Sequence, residues 1–371
     1  MSGRVGKRRA VFVGATDVVS GAERVMIRYA TAAAEHGWAA SVVAPSGRLG
    51  AECVELDIPH RVVPDLKLGD GGRVAATAKL AVRNLSAARE LRHALGRADV
   101  VVVNSLMALP AVVAARPEAP VLWLIHDVVT RGDLQRIVKT VAGGIDGAVA
   151  VSNASARFAR SLGIPTAVVH NGVPFPEEPM APAPGVPIVG ISGVLTDWKG
   201  QDVFLDALAT VPGEWRAEIL GGVLPKDGDY EAALRRRAGA PDLEGRVEFL
   251  GHHADPVGVM RHWTISVSAS REPEAGPLVV KEAMGLGLAV IVTDHGGAPE
   301  ALDGHGLVVP PDDPAALAAA VTRYLLDPDL RARHGVAARR RVDESLRIEA
   351  AAAGFFCELD RVVGTESEEG R

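Results

Sequence analysis

The sequence has few aromatic residues, few cysteines and no long apolar run, and each scarcity excludes a class of protein. Phe, Trp and Tyr make up 4% of the 371 residues, so we expect cores built from Ala, Val and Leu. The two cysteines, Cys53 and Cys357, lie far apart without CxxC spacing, which disfavours a zinc site or redox dithiol and favours a reducing compartment. No stretch approaches the roughly 20 apolar residues that span a bilayer.

The charge balance also argues against a nucleic-acid partner. The net charge of −6 provides no general attraction to nucleic acid, so we predict no nucleic-acid partner. The basic N-terminus, MSGRVGKRR, precedes an apolar run, AVFVGA, that is too short for the core of a signal peptide. We therefore expect a soluble cytoplasmic protein, with peripheral contact at the inner face of the membrane as the alternative.

One basic segment keeps the membrane alternative open. Residues 74–97 have a helical pattern, and the helix and its flank carry six basic residues against one acid, Glu90. Such a helix either contacts anionic lipid head groups or presents a solvated polar face. The segment has no Trp or Phe to enter the membrane interface, which favours the solvated face.

Several common site motifs are absent. The residues after the first apolar run, Gly14, Ala15 and Thr16, do not begin a GxGxxG pattern, which disfavours a nicotinamide-dependent enzyme. The chain has no GxxxxGK[ST] phosphate loop and no GxSxG nucleophile elbow. We recognise no Asp-x-Asp motif of the kind that holds a metal beside a diphosphate, so we predict no metal site and no cofactor.

Short apolar runs alternate with longer Ala-rich amphipathic stretches along the whole chain. Most runs are continuously apolar, which is typical of parallel strands covered on both faces, and the alternation predicts doubly wound α/β sheets. The predicted strands are 9–14, 39–44, 61–63, 99–104, 120–126, 147–152, 166–170, 186–192, 216–221, 246–251, 264–270, 288–293 and 306–310.

A proline-rich segment divides this pattern into two halves. Residues 174–187 contain six prolines, which remove backbone donors and block helix formation, so we predict a stiff linker there. The predicted domains are 1–178 and 185–348, both Rossmann-like. The tail, 364–371, is acidic, lacks large apolar residues and is predicted to be disordered.

Residues 264–288 contain the most informative pattern. A strand, TISVSAS, leads through the loop SREPEA to a helix, PLVVKEAMGLG, with Pro277 suited to its first position. The loop carries Glu274, and Glu282 lies about one and a half turns into the helix. A helix N-terminus favours phosphate, and the carboxylates would bind sugar hydroxyls beyond it. The pattern therefore suits a nucleoside diphosphate sugar; the alternative is that Glu274 is an exposed loop acid and Glu282 a solvated helix position.

This segment resembles the signature of the retaining glycosyltransferases of family 4. In that family a Glu-x7-Glu element precedes Ala-Met and a further strand that ends in Gly-Gly-x-x-Glu. Here Glu274 and Glu282 are followed by Ala283 and Met284, and after the next strand come Gly296, Gly297 and Glu300. Six further elements resemble the family in order: SGAERVMIRYATAAAEHGW (20–38, with Gly21 at the second glycine of a Gly-Gly-x-Glu loop), WLIHDVV (123–129), VSNASA (151–156), HNGVP (170–174), GVLTDWKGQDVFLDAL (193–208) and RVEFLG (246–251).

The resemblance implies a GT-B fold, in which two Rossmann-like domains face a central cleft and the last helix, about 349–363, crosses back to the first domain. It implies an acceptor-binding first domain, a donor-binding second domain and hinge closure that excludes water. The expected activity is hexosyl transfer with retention from a nucleoside diphosphate sugar, without a metal. UDP-sugars are the first expectation, with GDP- and dTDP-sugars as alternatives, and the acceptor is a glycan, a lipid or a small molecule.

The resemblance also implies roles for single residues. Glu282 would bind the nucleotide ribose, Glu274 the transferred sugar, and Lys199 the leaving diphosphate. His126 would face the donor sugar, with a structural strand-end histidine as the alternative. Adjacent side chains of an extended segment point to opposite sides, so a dyad of His126 with Asp127 is not expected. The implied donor site also contains Gly21, Ala275, Gly276, Pro277, Leu278 and Val279.

Two positions depart from the family pattern. The family's Gly-Arg-Leu reads Gly193-Val194-Leu195, so the arginine that accompanies the lysine at the diphosphate is missing. The family's glycine three residues after the first glutamate is Pro277, which has no N–H to donate. Loss of an arginine–phosphate contact would cost about 1.5–3 kcal/mol. Arg271 and Lys281 are candidate replacements, and Gly276 is a candidate for the glycine's role.

Three other functions share these features. A GT-B nucleotide-sugar epimerase or phosphorylase would use the same fold and donor site. A catalytically silent nucleotide-sugar-binding protein would also fit, given Val194 and Pro277.

Overall fold

A computed structural model describes residues 7–64, 87–177 and 185–364. The described chain divides into two compact units. The first contains the residues up to Asn171 and those from Glu349 onward, and the second runs from Gly172 to Ile348. Parts of the predicted basic helix (74–86), the proline-rich segment (178–184) and the acidic tail (365–371) lie outside the described residues.

In the first unit the described strands form one parallel sheet, in the order β3-β2-β1-β4-β5-β6-β7. The four valines of β4 are fully buried, as expected for a strand covered on both faces. The strands are β1 (Arg8–Val13), β2 (Trp38–Ala44), β3 (His60–Val62), β4 (Val100–Val103), β5 (Val121–Ile125), β6 (Gly147–Ala150) and β7 (Thr166–Val168). The helices are α1 (Gly21–Ala32), α2 (Arg48–Glu55), α3 (described over 87–95), α4 (Leu109–Ala115), α5 (Gly132–Val141) and α6 (Asn153–Ser161).

The second unit repeats the arrangement. Its described strands form a parallel sheet in the order β10-β9-β8-β11-β12-β13. The strands are β8 (Ile188–Ser192), β9 (Arg216–Leu220), β10 (Val247–Gly251), β11 (Ile265–Ser268), β12 (Ala289–Thr293) and β13 (Leu307–Val309). The helices are α7 (Gln201–Leu208), α8 (Gly228–Ala238), α9 (Pro256–Met260), α10 (Leu278–Gly285), α11 (Ala298–Leu302), α12 (Pro314–Leu326) and α13 (Pro328–Ser345).

The last helix, α14 (Ile348–Val363), packs on the first unit. Phe355 is fully buried and stacks on Tyr29, with ring centroids 4.1 Å apart. The indole N–H of Trp38 donates to the carboxylate of Asp360 at 3.0 Å. These contacts bury the apolar face of α14 against α1 and β2.

The sequence prediction of two doubly wound sheets is confirmed, and each predicted strand is present within two residues of its expected ends. In each sheet the order of strands reverses at one point, between β1 and β4 and between β8 and β11. In open parallel sheets, ligands bind beyond the carboxyl ends of the strands at such a reversal. The loops after β8 and β11 are therefore the first place to look for a site in the second unit.

Candidate active site

The loops after β8 and β11 bring together the two predicted residues of opposite charge. Lys199 Nζ lies 2.5 Å from Glu274 Oε2, and each side chain is only 15% exposed. The hydroxyl of Ser270 donates to the other carboxylate oxygen, Oε1. The interpretation of Glu274 as an exposed loop acid is therefore wrong, because both of its oxygens accept hydrogen bonds in a largely buried setting.

A second layer of hydrogen bonds holds this loop in place. The carbonyl of Ser270 accepts from the hydroxyl of Thr293 at 2.9 Å and from Nε2 of His295 at 2.7 Å. The backbone N–H of Gly297 donates to the carbonyl of Glu274 at 2.7 Å. The end of β12 and the turn after it thus position the backbone of the Glu274 loop.

Gly296 lies too close to the Glu274 loop for any side chain. Its φ is +65°, and an added Cβ would overlap the backbone carbonyl oxygen and nitrogen of Glu274. We expect Gly296→Ala to displace the Glu274 backbone and to lower kcat/KM by about 10-fold or more, as ångström-scale misplacement does in other enzymes. Steady-state kinetics and the melting temperature measure the effect.

Gly304→Ala is the matched control for this prediction. Gly304 has a similar φ of +79°, but an added Cβ would meet no atom within 4 Å. Both variants incur the cost of a left-handed backbone, about 1 kcal/mol, and only Gly296→Ala disturbs the loop. Equal kcat/KM in the two variants would show that the Gly296 contact does not position Glu274.

The helix that carries Glu282, α10, begins one residue later than the sequence predicts. Pro277 is the N-cap of α10 rather than its first residue, and no side chain caps the helix. The backbone N–H groups of the first helical turn, which starts at Leu278, are intact, because the missing donor of Pro277 precedes that turn. Glu282 is half-buried on the same helix, and Ala275 and Pro277 are buried beneath its start, whereas Gly276 and Val279 are half-buried.

Neither candidate replacement for the missing arginine is available. The guanidinium of Arg271 binds the carboxylates of Asp202, at 2.6 Å, and Asp312, at 2.9 Å, and these hydrogen bonds raise the pKa of Arg271. Lys281, a residue of α10, is 0% exposed. In the structure Arg271 is occupied by carboxylates and Lys281 is sealed in the core, so neither presents an exposed, unpaired cation in place of the arginine at position 194.

In the first unit, His126 follows directly after β5 and is half-buried. Its Nε2 lies 2.9 Å from Oδ1 of Asn104, a buried residue just after β4. Burial lowers the pKa of His126 to about 4, so the imidazole is neutral at pH 7. Donation from Nε2–H to Asn104 leaves Nδ1 as an acceptor, which suits a sugar hydroxyl better than a phosphate.

Gly21 lies exposed at the first position of α1. The preceding residue, Ser20, is the N-cap, and its side chain forms a capping box with Glu23. The position that departs from the family's first glycine therefore has a local role in starting the helix.

The sequence analysis did not identify three residues that contact the predicted site residues or their neighbours: Ser270 beside Glu274, Asn104 beside His126, and His295 beside Ser270. Ser270 and Asn104 both lie just after a buried strand, a position that signals a site in a parallel sheet. His295 lies in the short segment between β12 and the Gly-Gly turn, and nothing in its neighbourhood predicted its contact with Ser270.

The described residues contain neither a cluster suited to a metal ion nor a helix suited to crossing a membrane. Across residues 7–64, 87–177 and 185–364, no group of three or more His, Cys, Asp or Glu side chains is arranged to hold a metal ion. Within the same ranges, no helix combines the length and the apolar character needed to cross a membrane.

Two Rossmann-like units with parallel sheets are the architecture of the GT-B class of glycosyltransferases, and here an ion pair lies at the strand reversal of the second sheet. A family model described as "Glycosyltransferase Family 4" matches residues 19–175, and one described as "Glycosyl transferases group 1" matches residues 178–341. Together the two models span both halves. The chain belongs to glycosyltransferase family 4 and is a glycosyltransferase.

Named relatives and solved structures agree with this assignment. A lipopolysaccharide core biosynthesis mannosyltransferase, LpcC of Rhizobium leguminosarum, is 30% identical over 59% of this chain and 66% of its own length. A phosphatidyl-myo-inositol mannosyltransferase of Mycolicibacterium smegmatis is 28% identical over 88% of this chain and 86% of its own length. The crystal structure of Anabaena HepE in complex with UDP matches 95% of this chain and 100% of its own, with a TM-score of 0.84 at 22% identity.

Proposed function

We propose that this glycosyltransferase moves a hexose from a nucleoside diphosphate sugar to an acceptor hydroxyl, with retention at the anomeric carbon and without a metal. The observation that carries the proposal is the Lys199–Glu274 pair, 2.5 Å apart in the loops where the second sheet reverses its strand order. A cation and a carboxylate side by side suit a ligand that presents a phosphate next to hydroxyl groups.

The proposal gives each group around this pair a task. Lys199 binds the diphosphate, and Glu274 accepts hydrogen bonds from hydroxyls of the transferred sugar. The uncapped N-terminus of α10 offers N–H groups and partial positive charge to the phosphates. Glu282, on the same helix, binds the ribose hydroxyls. In the structure Lys199 and Glu274 neutralise each other, so a donor that binds both must replace one close ion pair by two new contacts.

The proposed chemistry needs no protein base. The bond between the anomeric carbon and the diphosphate oxygen breaks, and the acceptor oxygen bonds to the same face of the sugar. The acceptor proton passes to the leaving phosphate oxygen. Lys199 stabilises the negative charge that grows on that oxygen. His126, neutral at pH 7, accepts a hydrogen bond from the donor sugar rather than removing the acceptor proton.

The relatives support the choice of substrates. HepE is described in complex with UDP, with UDP-glucose, and with UDP and glucose, which supports UDP-sugars as the first donors to test. GDP- and dTDP-sugars follow. The names of two relatives specify mannosyl transfer in lipopolysaccharide core biosynthesis and to phosphatidyl-myo-inositol, which supports a glycan or lipid acceptor. Peripheral contact with a cytoplasmic membrane surface would suit a lipid acceptor.

Thermal shift with UDP-, GDP-, dTDP- and ADP-sugars tests the donor assignment. A ligand at about 100 times its Kd stabilises the folded state by about 2.7 kcal/mol, so one nucleotide is expected to raise the melting temperature. Glu282→Ala is expected to abolish most of that shift, whereas Glu344→Ala, at an exposed position on α13, leaves it unchanged. The donor assignment fails if no nucleotide sugar shifts the transition.

Turnover tests separate the remaining parts of the proposal. Nuclear magnetic resonance of the product reports whether the anomeric configuration is retained, and activity that persists in EDTA supports a metal-independent reaction. Incubation with donor alone distinguishes an epimerase, which would change the sugar without an acceptor.

A further inference from the structure

The side chain of Lys199 lies between two neighbours besides Glu274. Its Nζ lies 4.4 Å from the centroid of the Trp198 ring, within the range of a cation–π contact. Its methylene carbons pass over the bare Cα of Gly193, where an added Cβ would lie 3.5 to 3.9 Å from them. The lysine is thus held against an aromatic face on its way to Glu274.

The loop that carries Trp198 is fixed to the segment after β11. The carbonyl of Trp198 accepts from the backbone N–H of Arg271 at 2.7 Å. The guanidinium of Arg271 also donates to the carbonyl of Asp197 at 2.8 Å. Gly200, with φ of +69°, approaches the carbonyl of Ala269 so closely that a Cβ would overlap it. The half-buried indole is therefore part of a rigid loop.

The contacts that hold the Lys199 side chain matter because position 194 is a valine. The family shares the diphosphate between an arginine and a lysine, and here the arginine is Val194. Glu274 holds the ammonium of Lys199 in the structure, but in the proposed function Glu274 binds sugar hydroxyls. An aromatic face attracts the ammonium without hydrogen bonds, so its N–H groups stay available for phosphate oxygens.

We propose that Trp198 is a positioning residue, whose indole face keeps the Lys199 ammonium in place for the diphosphate of the donor. This inference rests on the proposed function. It predicts that the aromatic face, and not merely the bulk of the side chain, contributes to nucleotide affinity and turnover.

Two substitutions of Trp198 test the inference, with UDP binding measured by calorimetry and UDP release from UDP-glucose measured kinetically. W198L is expected to weaken UDP binding and lower kcat/KM by about 3- to 30-fold, the range of a cation–π contact at a partly desolvated site. W198F retains an aromatic face and is expected to recover most of both. F249L removes the Arg235–Phe249 contact in the same unit and is expected to change neither.

Fluorinated tryptophan separates electrostatics from packing. Fluorine withdraws charge from the ring face, so mono-, di- and trifluorinated tryptophan should weaken UDP binding stepwise in the wild-type chain. The other four tryptophans are labelled too, so the same series in W198F is the control and is expected to be flat. This comparison remains decisive even if W198L does not fold.

The outcomes distinguish this inference from the proposed function. Equal fluorine dependence in the wild type and W198F, or wild-type UDP affinity and kcat/KM in W198L, would overturn the role of Trp198. If Lys199→Ala nevertheless abolishes turnover, only the Trp198 inference fails. If Lys199→Ala also has no effect on UDP binding or turnover, the proposed function fails as well.

Discussion

Lys199→Ala is expected to lower kcat/KM for the donor by about 10²–10³-fold, the loss that follows removal of one charge-stabilising group from a transition state. The expected loss is at the upper end, because Val194, the carboxylate-bound Arg271 and the buried Lys281 supply no second cation at this position. Most of the change should appear in kcat, since in the proposed reaction charge grows on the diphosphate as the bond to the anomeric carbon breaks.

Two variants serve as controls for Lys199→Ala: one removes a positive charge elsewhere, and the other keeps the charge at position 199. Arg340→Ala removes a cation from an exposed position on α13 and is expected to retain wild-type kinetics. Lys199→Arg keeps the charge in another shape and is expected to recover part of the activity. A Lys199→Ala enzyme with kcat/KM within a factor of three of wild type would remove the diphosphate role from this residue.

The stability of a Lys199→Ala, Glu274→Gln double variant tests the ion pair between these two residues. Removing Lys199 alone leaves the Glu274 carboxylate largely buried with a hydrogen bond from the Ser270 hydroxyl and without its cation, which is costly. Glu274→Gln in the same chain removes that uncompensated charge. The double variant should therefore be more stable than the sum of the single variants predicts, while its activity remains lost.

Lys281→Met is expected to raise the stability of the protein at neutral pH. Lys281 is fully buried, its Nζ has no hydrogen-bond partner, and burial lowers its pKa to about 7. The nearby Arg341 lowers the pKa further, and Glu300 partly opposes the shift. Between this value and about 10.4 the unfolded chain binds more protons than the folded one, so the stability of the wild type rises with pH through that window.

The magnitude follows from the same linkage. Each unit of pKa shift corresponds to about 1.4 kcal/mol, so the stabilisation by Lys281→Met is expected to be on the order of 3–4 kcal/mol at pH 7 and to shrink as the pH rises toward 10. Methionine fills a similar volume, so little packing should be lost. Thermal unfolding of the wild type and the variant from pH 7 to pH 10 measures whether the difference in stability between them shrinks as the pH rises.

The exposed Lys139 on α5 provides the control. Lys139→Met removes the same charge from the net balance without touching a buried group, and its stability relative to the wild type should not depend on pH over this window. A constant difference between Lys281→Met and the wild type at all pH values would mean that Lys281 is charged in the folded protein.

The strands, their parallel pairing and the positions of Lys199, Glu274, Glu282 and His126 could be predicted from the sequence. Continuous apolar runs report burial on both faces, a local property of each strand, and the site residues stand just beyond those runs. The start of α10 was predicted within one residue, because proline cannot continue a helix backward and marks its first turn.

The partners of the charged side chains could not be predicted. Arg271 is three residues from Glu274 and was a natural candidate for the diphosphate, yet it binds Asp202 and Asp312, 69 and 41 residues away. Lys281 adjoins Glu282, yet its side chain is buried. Neighbours in a helix point about 100° apart, so adjacency says little about which side chain faces solvent.

The two parallel sheets, the family and the loops that carry the proposed chemistry can be predicted from patterns of apolar residues and short motifs. The folded structure was needed to show that Lys199 and Glu274 form a pair, that Trp198 and Ser270 contact this pair and that Arg271 is bound by other carboxylates. The reason is physical: the free energy of a charge depends on partners and burial that are set by residues far away in the chain.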